Sequence, residues 1–230
     1  MSTHLMQATQ KLKQRIVALG TLVEEAFQKA IDAVEKRDER LAAEVAAGDK
    51  VIDEREVEIE EECLKMLALY QPVAMDLRFI VAVLKLNRDL ERIGDMAVSV
   101  AERAAPLARD RWSPEVFDFQ TMAGKTLAMV HASLDALIDL DAEKARQIFA
   151  ADNEVDEMHA AMFEQVRRSA FAEPERVDML LHLLSISRYL ERIADHAANI
   201  AKDVVYMVKG NIVRHRTKEL LKNEPQADDR

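Results

Sequence analysis

The chain of 230 residues is acidic, with a formal net charge of −10, and 49% of its residues are hydrophobic. General nucleic-acid binding requires a basic surface, so this charge argues against it and favours cations or basic partner surfaces. The single cysteine, Cys63, excludes an internal disulfide framework. A membrane-spanning helix needs an apolar run of about 18 residues, and the sequence has none of that length. We therefore expect a cytoplasmic protein without membrane insertion.

The composition favours long helices. Only five glycines and five prolines interrupt a chain rich in alanine, leucine, glutamate and arginine, which have high helix propensities. We expect almost no β-strand.

In the first half, apolar residues recur at alternating steps of three and four, which predicts three helices. A kink or short break is expected at Gly48–Asp49 and a stop at Gln71–Pro72, with Pro72 in the first turn of the third helix. Pro106 should end that helix. The expected helices are residues 3–37, a second helix to about Leu69 and a third helix to about Ala105.

The second half repeats this plan. Ser113–Pro114–Glu115 has the residue types of a helix start, a break is expected at Ala151–Asp152, and Gly210 suits a left-handed C-cap. The tail is expected to hold a short helix between residues 212 and 221 and disorder from residue 224. The expected long helices cover residues 114–140, 142–171 and 174–209.

One stretch of the chain occurs twice. Residues 84–104, LKLNRDLERIGDMAVSVAERA, return 100 positions later as LSISRYLERIADHAANIAKDV, and seven of the twelve positions from Leu90 to Ala101 are identical. Upstream acids match at a spacing of 103, namely Asp38, Asp49 and Asp53 with Asp141, Asp152 and Asp156. Such repetition indicates two related halves.

Three long amphipathic helices joined by short turns form an up-down-up bundle. The predicted fold is therefore all-α, with two tandem pseudo-symmetric three-helix bundles of long antiparallel helices. We place the first bundle at residues 1–108, the second at residues 109–216 and a C-terminal tail at residues 217–230.

The third helix of each half carries two acids one turn apart, Glu91 with Asp95 and Glu191 with Asp195. These positions lie off the apolar seam, which predicts that both acids share the outer, solvent-facing side of the bundle. Like charges at this spacing repel by roughly 0.2–0.5 kcal/mol. The arrangement therefore calls for a nearby positive charge.

Two sources of positive charge remain open. Arginines stand three residues before the acids and predict a solvated ion-pair surface: Arg88, Arg92, Arg188 and Arg192. Alternatively, the acids bind a metal ion, since hard cations prefer oxygen ligands. Further ligands would then come from Asp53, Glu56, Asp156 and His159, with His196 as another nitrogen donor.

Other kinds of site find little support. A buried di-iron core needs two inward Glu-x-x-His pairs, and the nearest match is one Asp156-x-x-His159. The sequence has no glycine-rich phosphate loop, nucleophile elbow or paired-cysteine motif. We expect no enzyme activity.

Three parts of the chain stand out: residues 67–97, LALYQPVAMDLRFIVAVLKLNRDLERIGDMA, the repeated acidic motif, and the ending VVYMVKGNIVRHR. Together they resemble the PhoU family of bacterial phosphate-transport regulators. The resemblance reaches to about residue 216. The second half departs from the pattern, because Glu173–Pro174 and Asp178–Met179 replace its Gln-Pro and Asp-Leu-Arg elements. Only the acidic motif is carried over to that half.

The resemblance implies two three-helix bundles, a homodimer, and metal sites at the Glu-x-x-x-Asp motifs that hold iron, zinc, manganese or magnesium. It implies negative regulation of the phosphate-starvation two-component pathway and restraint of phosphate uptake. The implied partners are the ATPase subunit of the phosphate ABC transporter and a phosphate-sensing membrane histidine kinase, which would hold a cytoplasmic protein at the inner membrane. The residues predicted to contact partners are Gln71, Asp76, Arg78, Arg88 and Arg188. A metal-free helical adaptor whose acidic motifs contact basic partner surfaces stays the alternative.

Overall fold

The computed structural model describes residues 3–108 and 117–210, and these ranges are helical apart from short connections. A 3-10 turn, Pro174–Arg176, precedes the last helix. The α-helices of the described ranges are α1 (Thr3–Lys36), α2 (Glu39–Tyr70), α3 (Ala74–Ala101), α4 (Ala104–Ala108), α5 (Phe119–Asp139), α6 (Ala142–Ala172) and α7 (Val177–Lys209). The predicted all-α fold is confirmed: α1, α2 and α3 pack together, and α5, α6 and α7 form the second bundle.

The predicted apolar seams form the cores of both bundles. In α3, Leu86, Leu90 and Ile93 are fully buried, and so are their repeat counterparts in α7. Burying a large aliphatic side chain contributes about 1.5–3 kcal/mol, so these seams supply much of the stability. Because the core side of each third helix is fixed in this way, the acids beside the seam are held in a defined direction.

The two bundles meet along α3 and α7, which run antiparallel. Lys85 Nζ lies 3.1 Å from Asp203 Oδ1, and Arg103 reaches the hydroxyl of Tyr189 further along. Asp203 is only 7% exposed, so its contact with Lys85 lies in the protein interior. Charged contacts therefore join the bundles within a largely apolar interface.

Matching N-caps begin the second helix of each half. Asp38 Oδ1 accepts hydrogen bonds from the backbone N–H groups of Arg40 and Leu41. Asp141, 103 positions later, does the same at α6, and these bonds lower the pKa of its carboxyl. An aspartate cap contributes about 1 kcal/mol, so the repeated acids fix the start of both helices.

The helices α2 and α6 continue through Gly48–Asp49 and Ala151–Asp152, so the expected breaks are wrong, while the expected kink at Gly48–Asp49 stays a prediction. Gly48 is exposed, and nothing lies within 4 Å of the position of a Cβ there. A helical glycine costs only about 1 kcal/mol relative to alanine. Burial of Val45 and Ile52 on either side outweighs that cost.

Two expectations about proline are also wrong. Pro72 precedes α3 instead of starting it, because Gln71 closes α2 in the left-handed region at φ 44° and Val73 takes the cap position. Pro106 lies inside the short α4, in the first turn, where its missing N–H costs no helical hydrogen bond. α3 itself ends at Ala101, before that proline.

The first helix of the second bundle begins later in the chain than expected. α5 starts at Phe119, and its N-cap is Asp118, whose side chain accepts a hydrogen bond from the Thr121 N–H. Gly210 is the predicted left-handed C-cap of α7, at φ 74°. The proposed start at Ser113–Pro114–Glu115, the bundle boundary at 108/109 and the tail features all involve residues outside the described ranges. Among the described helices, none is both long enough and apolar enough to cross a membrane.

Candidate functional site

Acids from two helices meet in the first bundle. Glu91 and Asp95 of α3 lie at the edge where α3 packs on α2, near acids of α2. Their side chains are 21% and 41% exposed, so they are half-buried and not on the open surface that the sequence predicts. We call this group the first acidic patch: Asp49, Asp53, Glu56, Glu91 and Asp95.

The carboxylates of the first acidic patch destabilise one another's charge. Burial raises the pKa of Glu91, and the charges of Asp95, Asp53 and Glu56 raise it further. Burial likewise raises the pKa of Asp49, with a further increase from Asp53 and Asp95. A positive charge at this edge would favour the ionised forms.

Arginine supplies part of that charge in the first bundle. Arg92 Nη1 lies 2.9 Å from Asp95 Oδ2, and Arg92 Nε lies 3.4 Å from Glu91 Oε2. The charge of Arg88 lowers the pKa of Glu56, but Arg88 forms no ion pair in the described part of the chain. The ion-pair interpretation is therefore confirmed for Arg92 with Asp95, whereas Glu91 pairs with Arg92 instead of the expected Arg88.

The equivalent group in the second bundle is the second acidic patch: Asp152, Asp156, Glu191 and Asp195. Burial, together with the charges of Asp195 and Asp156, raises the pKa of Asp152 to about 6. Burial and Asp195 also raise the pKa of Glu191. The repeat therefore places like-charged carboxylates together in both bundles.

The second acidic patch has no counterpart of the Arg92 ion pairs. Arg188 and Arg192 lower the pKa of Glu191 through their charges, yet neither forms an ion pair within residues 3–108 and 117–210. The ion-pair interpretation therefore does not hold for this half.

Of the two histidines considered as ligands, only His159 lies beside a patch. Its Nδ1 is 2.6 Å from Ser187 Oγ, and burial and the charge of Arg188 lower its pKa while Asp156 opposes them. His196 instead places Nδ1 2.7 Å from Asp89 Oδ1 on α3, in the contact between the bundles. That contact occupies its Nδ1 only, and its role as a metal ligand stays a prediction.

Two members of the patches were missed as candidate ligands: Asp49 and Asp152. The Oδ1 atom of each is buried and has no hydrogen-bond partner among the described residues. Their shared position in the repeat was visible in the sequence, but their burial beside the other acids depends on helix packing. An unpaired buried oxygen costs about 1–3 kcal/mol, so both positions favour a ligand that could satisfy it.

The donor set suits a metal ion, although the side chains are not yet gathered around one point. Carboxylate oxygens are the ligands that hard cations prefer, and the raised pKa values show a local excess of negative charge. In the described residues, however, no group of three or more His, Cys, Asp or Glu side chains is placed to hold a metal ion. Metal binding would thus require side-chain rotation within the patches.

The residues predicted to contact partners fall into two places. Gln71 is exposed at the turn between α2 and α3, and Asp76 and Arg78 are half-buried in the first turns of α3. Arg78 packs against the other bundle, since a Cβ on Gly210 would lie 2.9 Å from its Nη1. Arg88 and Arg188 are exposed beside the acidic patches. The structure does not bring the five residues into one surface.

The model of the PhoU domain matches residues 16–104 and 119–204, which are the two bundles. The chain belongs to the PhoU family. It is 36% identical to a phosphate-specific transport system accessory protein PhoU homolog from Aquifex aeolicus, over 92% of this chain and 96% of the relative. It is 31% identical to the PhoU accessory protein of Escherichia coli K12, over 90% of this chain and 86% of the relative.

Solved PhoU structures have the same architecture. The crystal structure of PhoU from Pseudomonas aeruginosa superposes with a TM-score of 0.86 at 34% identity, covering 89% of this chain and 99% of that one. The phosphate transport system regulatory protein PhoU from Streptococcus pneumoniae gives 0.84 at 29% identity, with coverages of 91% and 99%. The family resemblance and the tandem-bundle fold are therefore both confirmed.

Proposed function

We propose that this protein is a non-enzymatic regulator of phosphate homeostasis. It lowers signalling through the phosphate-starvation two-component pathway and restrains uptake by the phosphate ABC transporter. The support is membership of the PhoU family, whose relatives are named accessory proteins of phosphate-specific transport. In this proposal a cytoplasmic homodimer contacts the transporter ATPase subunit and the phosphate-sensing histidine kinase, and these partners hold it at the inner membrane.

Metal binding at the two acidic patches is part of the proposal. The observation that carries it is the pair of buried, unpartnered oxygens on Asp49 and Asp152, at matching positions of the repeat. In the first patch Glu91 and Asp95 would join Asp49 as ligands, with Asp53 and Glu56 nearby. In the second patch Glu191 and Asp195 would join Asp152, with Asp156 and His159 nearby. The candidate ions are iron, zinc, manganese and magnesium, and each would neutralise repelling carboxylates.

A metal ion at these positions would act on helix packing. Each patch takes acids from two helices of one bundle, α2 with α3 or α6 with α7. An ion held by both helices stabilises the arrangement in which they lie together, by an amount set by its affinity and concentration. Differential binding of this kind is what couples a ligand to a change of conformation.

The test measures transcription from a phosphate-starvation promoter in cells that lack the gene for this protein and carry one of its variants instead. The variant replaces Glu91, Asp95, Glu191 and Asp195 by Ala, and the control replaces four exposed acids elsewhere: Glu35, Glu44, Glu157 and Asp178. We expect the control to repress the promoter in high phosphate and the patch variant to lose repression. Full repression by a stably folded patch variant would rule out the patches as the regulatory element.

The metal-free adaptor remains a second candidate because Arg92 already pairs with Glu91 and Asp95. Under this alternative the acidic motifs contact basic partner surfaces directly. Elemental analysis after purification without chelator, followed by calorimetric titration with Mn²⁺, separates the two. Bound metal or saturable binding supports the metal-dependent regulator, whereas their absence supports the adaptor.

A further inference from the structure

The side of α2 that faces away from the core combines acids with exposed apolar residues. Val57 and Leu64 are 51% and 55% exposed. They are seven residues apart, so they lie along one line of the helix, and Glu54 and Glu61 lie beside that line. We call these four residues the α2 outer face.

Further exposed apolar residues lie at the end of this helix and just after it. Leu69, Val73 and Met75, in the hairpin that joins α2 to α3, are 64%, 73% and 65% exposed. Residues 53–77 also hold eight acids and only two basic residues, one of which, Arg55, pairs with Glu58. Glu54 of the α2 outer face pairs with Lys50 at 3.7 Å, whereas Glu61 forms no ion pair in the described part of the chain. Exposed apolar side chains within so strongly acidic a segment favour a binding role for this surface.

The fold does not require the Val57–Leu64 line, because α6 exposes apolar residues at other positions, Phe163 and Phe171. The repeat places Ala160 where α2 has Val57, and Arg167 where α2 has Leu64. Two acids are retained at equivalent positions, Glu157 and Glu164, but Arg167 pairs with Glu164 at 2.8 Å. The apolar line of Val57 and Leu64 is therefore not repeated in α6.

We propose that the α2 outer face docks a cationic amphipathic helix of a partner protein. The line of Val57 and Leu64 would seat the apolar side of that helix, and Glu54 and Glu61 would attract its lysines and arginines. The same negative charge disfavours anionic lipid, nucleic acid and a second copy of this face. The inference rests on the proposal that the protein acts by docking onto partners, and it adds the surface and the chemistry of the partner.

The probe is a fluorescein-labelled synthetic peptide of leucine and lysine in heptad order, with the same residues in scrambled order as its control. Its binding to the full chain is measured by fluorescence anisotropy with chelator present. We compare Glu54→Lys/Glu61→Lys with Glu157→Lys/Glu164→Lys, which changes the net charge equally at the matched positions of α6. We expect affinity to fall about tenfold for the α2 pair and less than about twofold for the α6 pair.

The apolar contribution is tested with Val57→Ser/Leu64→Gln. Both side chains are exposed, so melting temperatures should stay within a few degrees of the parent, while affinity for the heptad peptide falls about fivefold.

Weaker binding of the scrambled peptide supports the proposal. Equal effects of the α2 and α6 charge variants, equal binding of both peptides, or no saturable binding would overturn it. Co-sedimentation of the protein with phosphatidylglycerol vesicles through this face would also overturn it. These results leave the promoter test of the acidic patches unaffected, so the two proposals fail separately.

Discussion

Asp49 and Asp152 occupy the same position in the two repeats, 103 residues apart, and each has a buried Oδ1 without a hydrogen-bond partner in residues 3–108 and 117–210. Each lies beside the Glu-x-x-x-Asp motif of the following helix, because Asp95 raises the pKa of Asp49 and Asp195 raises that of Asp152. The duplication has thus kept an energetically unfavourable carboxylate in both bundles. A cation-binding site would explain why both halves keep this unfavourable carboxylate, because a bound cation would stabilise its charge.

Replacing Asp152 should stabilise the metal-free protein near neutral pH. Burial raises its pKa from 3.8 to about 6, so the folded chain holds this proton more tightly than the unfolded chain does. The contribution to stability is therefore present below about pH 4 and is lost as the pH rises through about 6. We expect Asp152→Asn to raise the free energy of unfolding by about 1 kcal/mol at pH 7, since partial solvation reduces the full effect.

Urea unfolding in chelator at about pH 4 and about pH 7 measures this difference. Asp178→Asn serves as the control: it removes an exposed acid from the first turn of α7, where negative charge favours the helix, so it should be no more stable than the parent at either pH. A stabilisation of Asp152→Asn that is equally large at the lower pH would show that the effect is not due to ionisation.

Metal ions should stabilise the protein through the acidic patches. At a free Mn²⁺ concentration about 100 times the dissociation constant, linkage predicts about 2.7 kcal/mol for one site. For a chain of this size that corresponds to an increase of about 5–10 °C in melting temperature. The variant with Glu91, Asp95, Glu191 and Asp195 replaced by Ala should show no increase in differential scanning fluorimetry. An increase that survives in this variant would place the metal elsewhere.

Arg92 should weaken cation binding at the first patch. Its ion pairs with Glu91 and Asp95 must be given up or rearranged before both carboxylates can turn to a metal ion. We expect Arg92→Gln to tighten Mn²⁺ binding at the first patch several-fold, about 1 kcal/mol. Arg192→Gln is the matched control and should have a smaller effect, since Arg192 forms no ion pair in the described chain. Calorimetry that finds equal changes for the two variants would contradict this role of Arg92.

The lack of a side chain at Gly94 should control how much water reaches the carboxyl of Asp49. A Cβ at this position would lie 3.4 Å from Asp49 Oδ1 and 3.3 Å from two carbons of Ile52. The repeat has Ala194 at the equivalent position. We expect Gly94→Ala to exclude water from the Asp49 carboxyl and raise its pKa further.

Carbon-detected NMR titration of the aspartate carboxyls measures that change. The reverse substitution, Ala194→Gly, should lower the pKa of Asp152 below about 6. If neither carboxyl responds to its neighbouring substitution, the backbone approach of α3 and α7 does not control the environment of these acids.

The repeat and the apolar spacing were sufficient to predict the tandem bundles, because the periodicity of Leu86, Leu90 and Ile93 reflects the core that they form. Local sequence preferences gave wrong helix boundaries where they compete with the packing of buried side chains. Gly48 weakens a helix locally, but buried Val45 and Ile52 keep α2 continuous. Turn geometry at Gln71 likewise displaced the start of α3 beyond Pro72.

The acidic motifs were also visible in the sequence, whereas their surroundings were not. Glu91 and Asp95 were expected to face water, and their half-buried position depends on how closely α2 packs on α3. Asp49 shared the spacing of the repeat but could not be placed beside Glu91 without knowing the helix rotation. Pairing of His196 with Asp89 depends on the contact between bundles, which no local pattern encodes.

Anomalous diffraction from crystals soaked in Mn²⁺ is the most direct test of the two acidic patches. We expect an anomalous peak at each patch, from one ion coordinated by Asp49 with Glu91 or Asp95 and another coordinated by Asp152 with Glu191 or Asp195. Crystals that bind Mn²⁺ at neither patch would contradict this expectation.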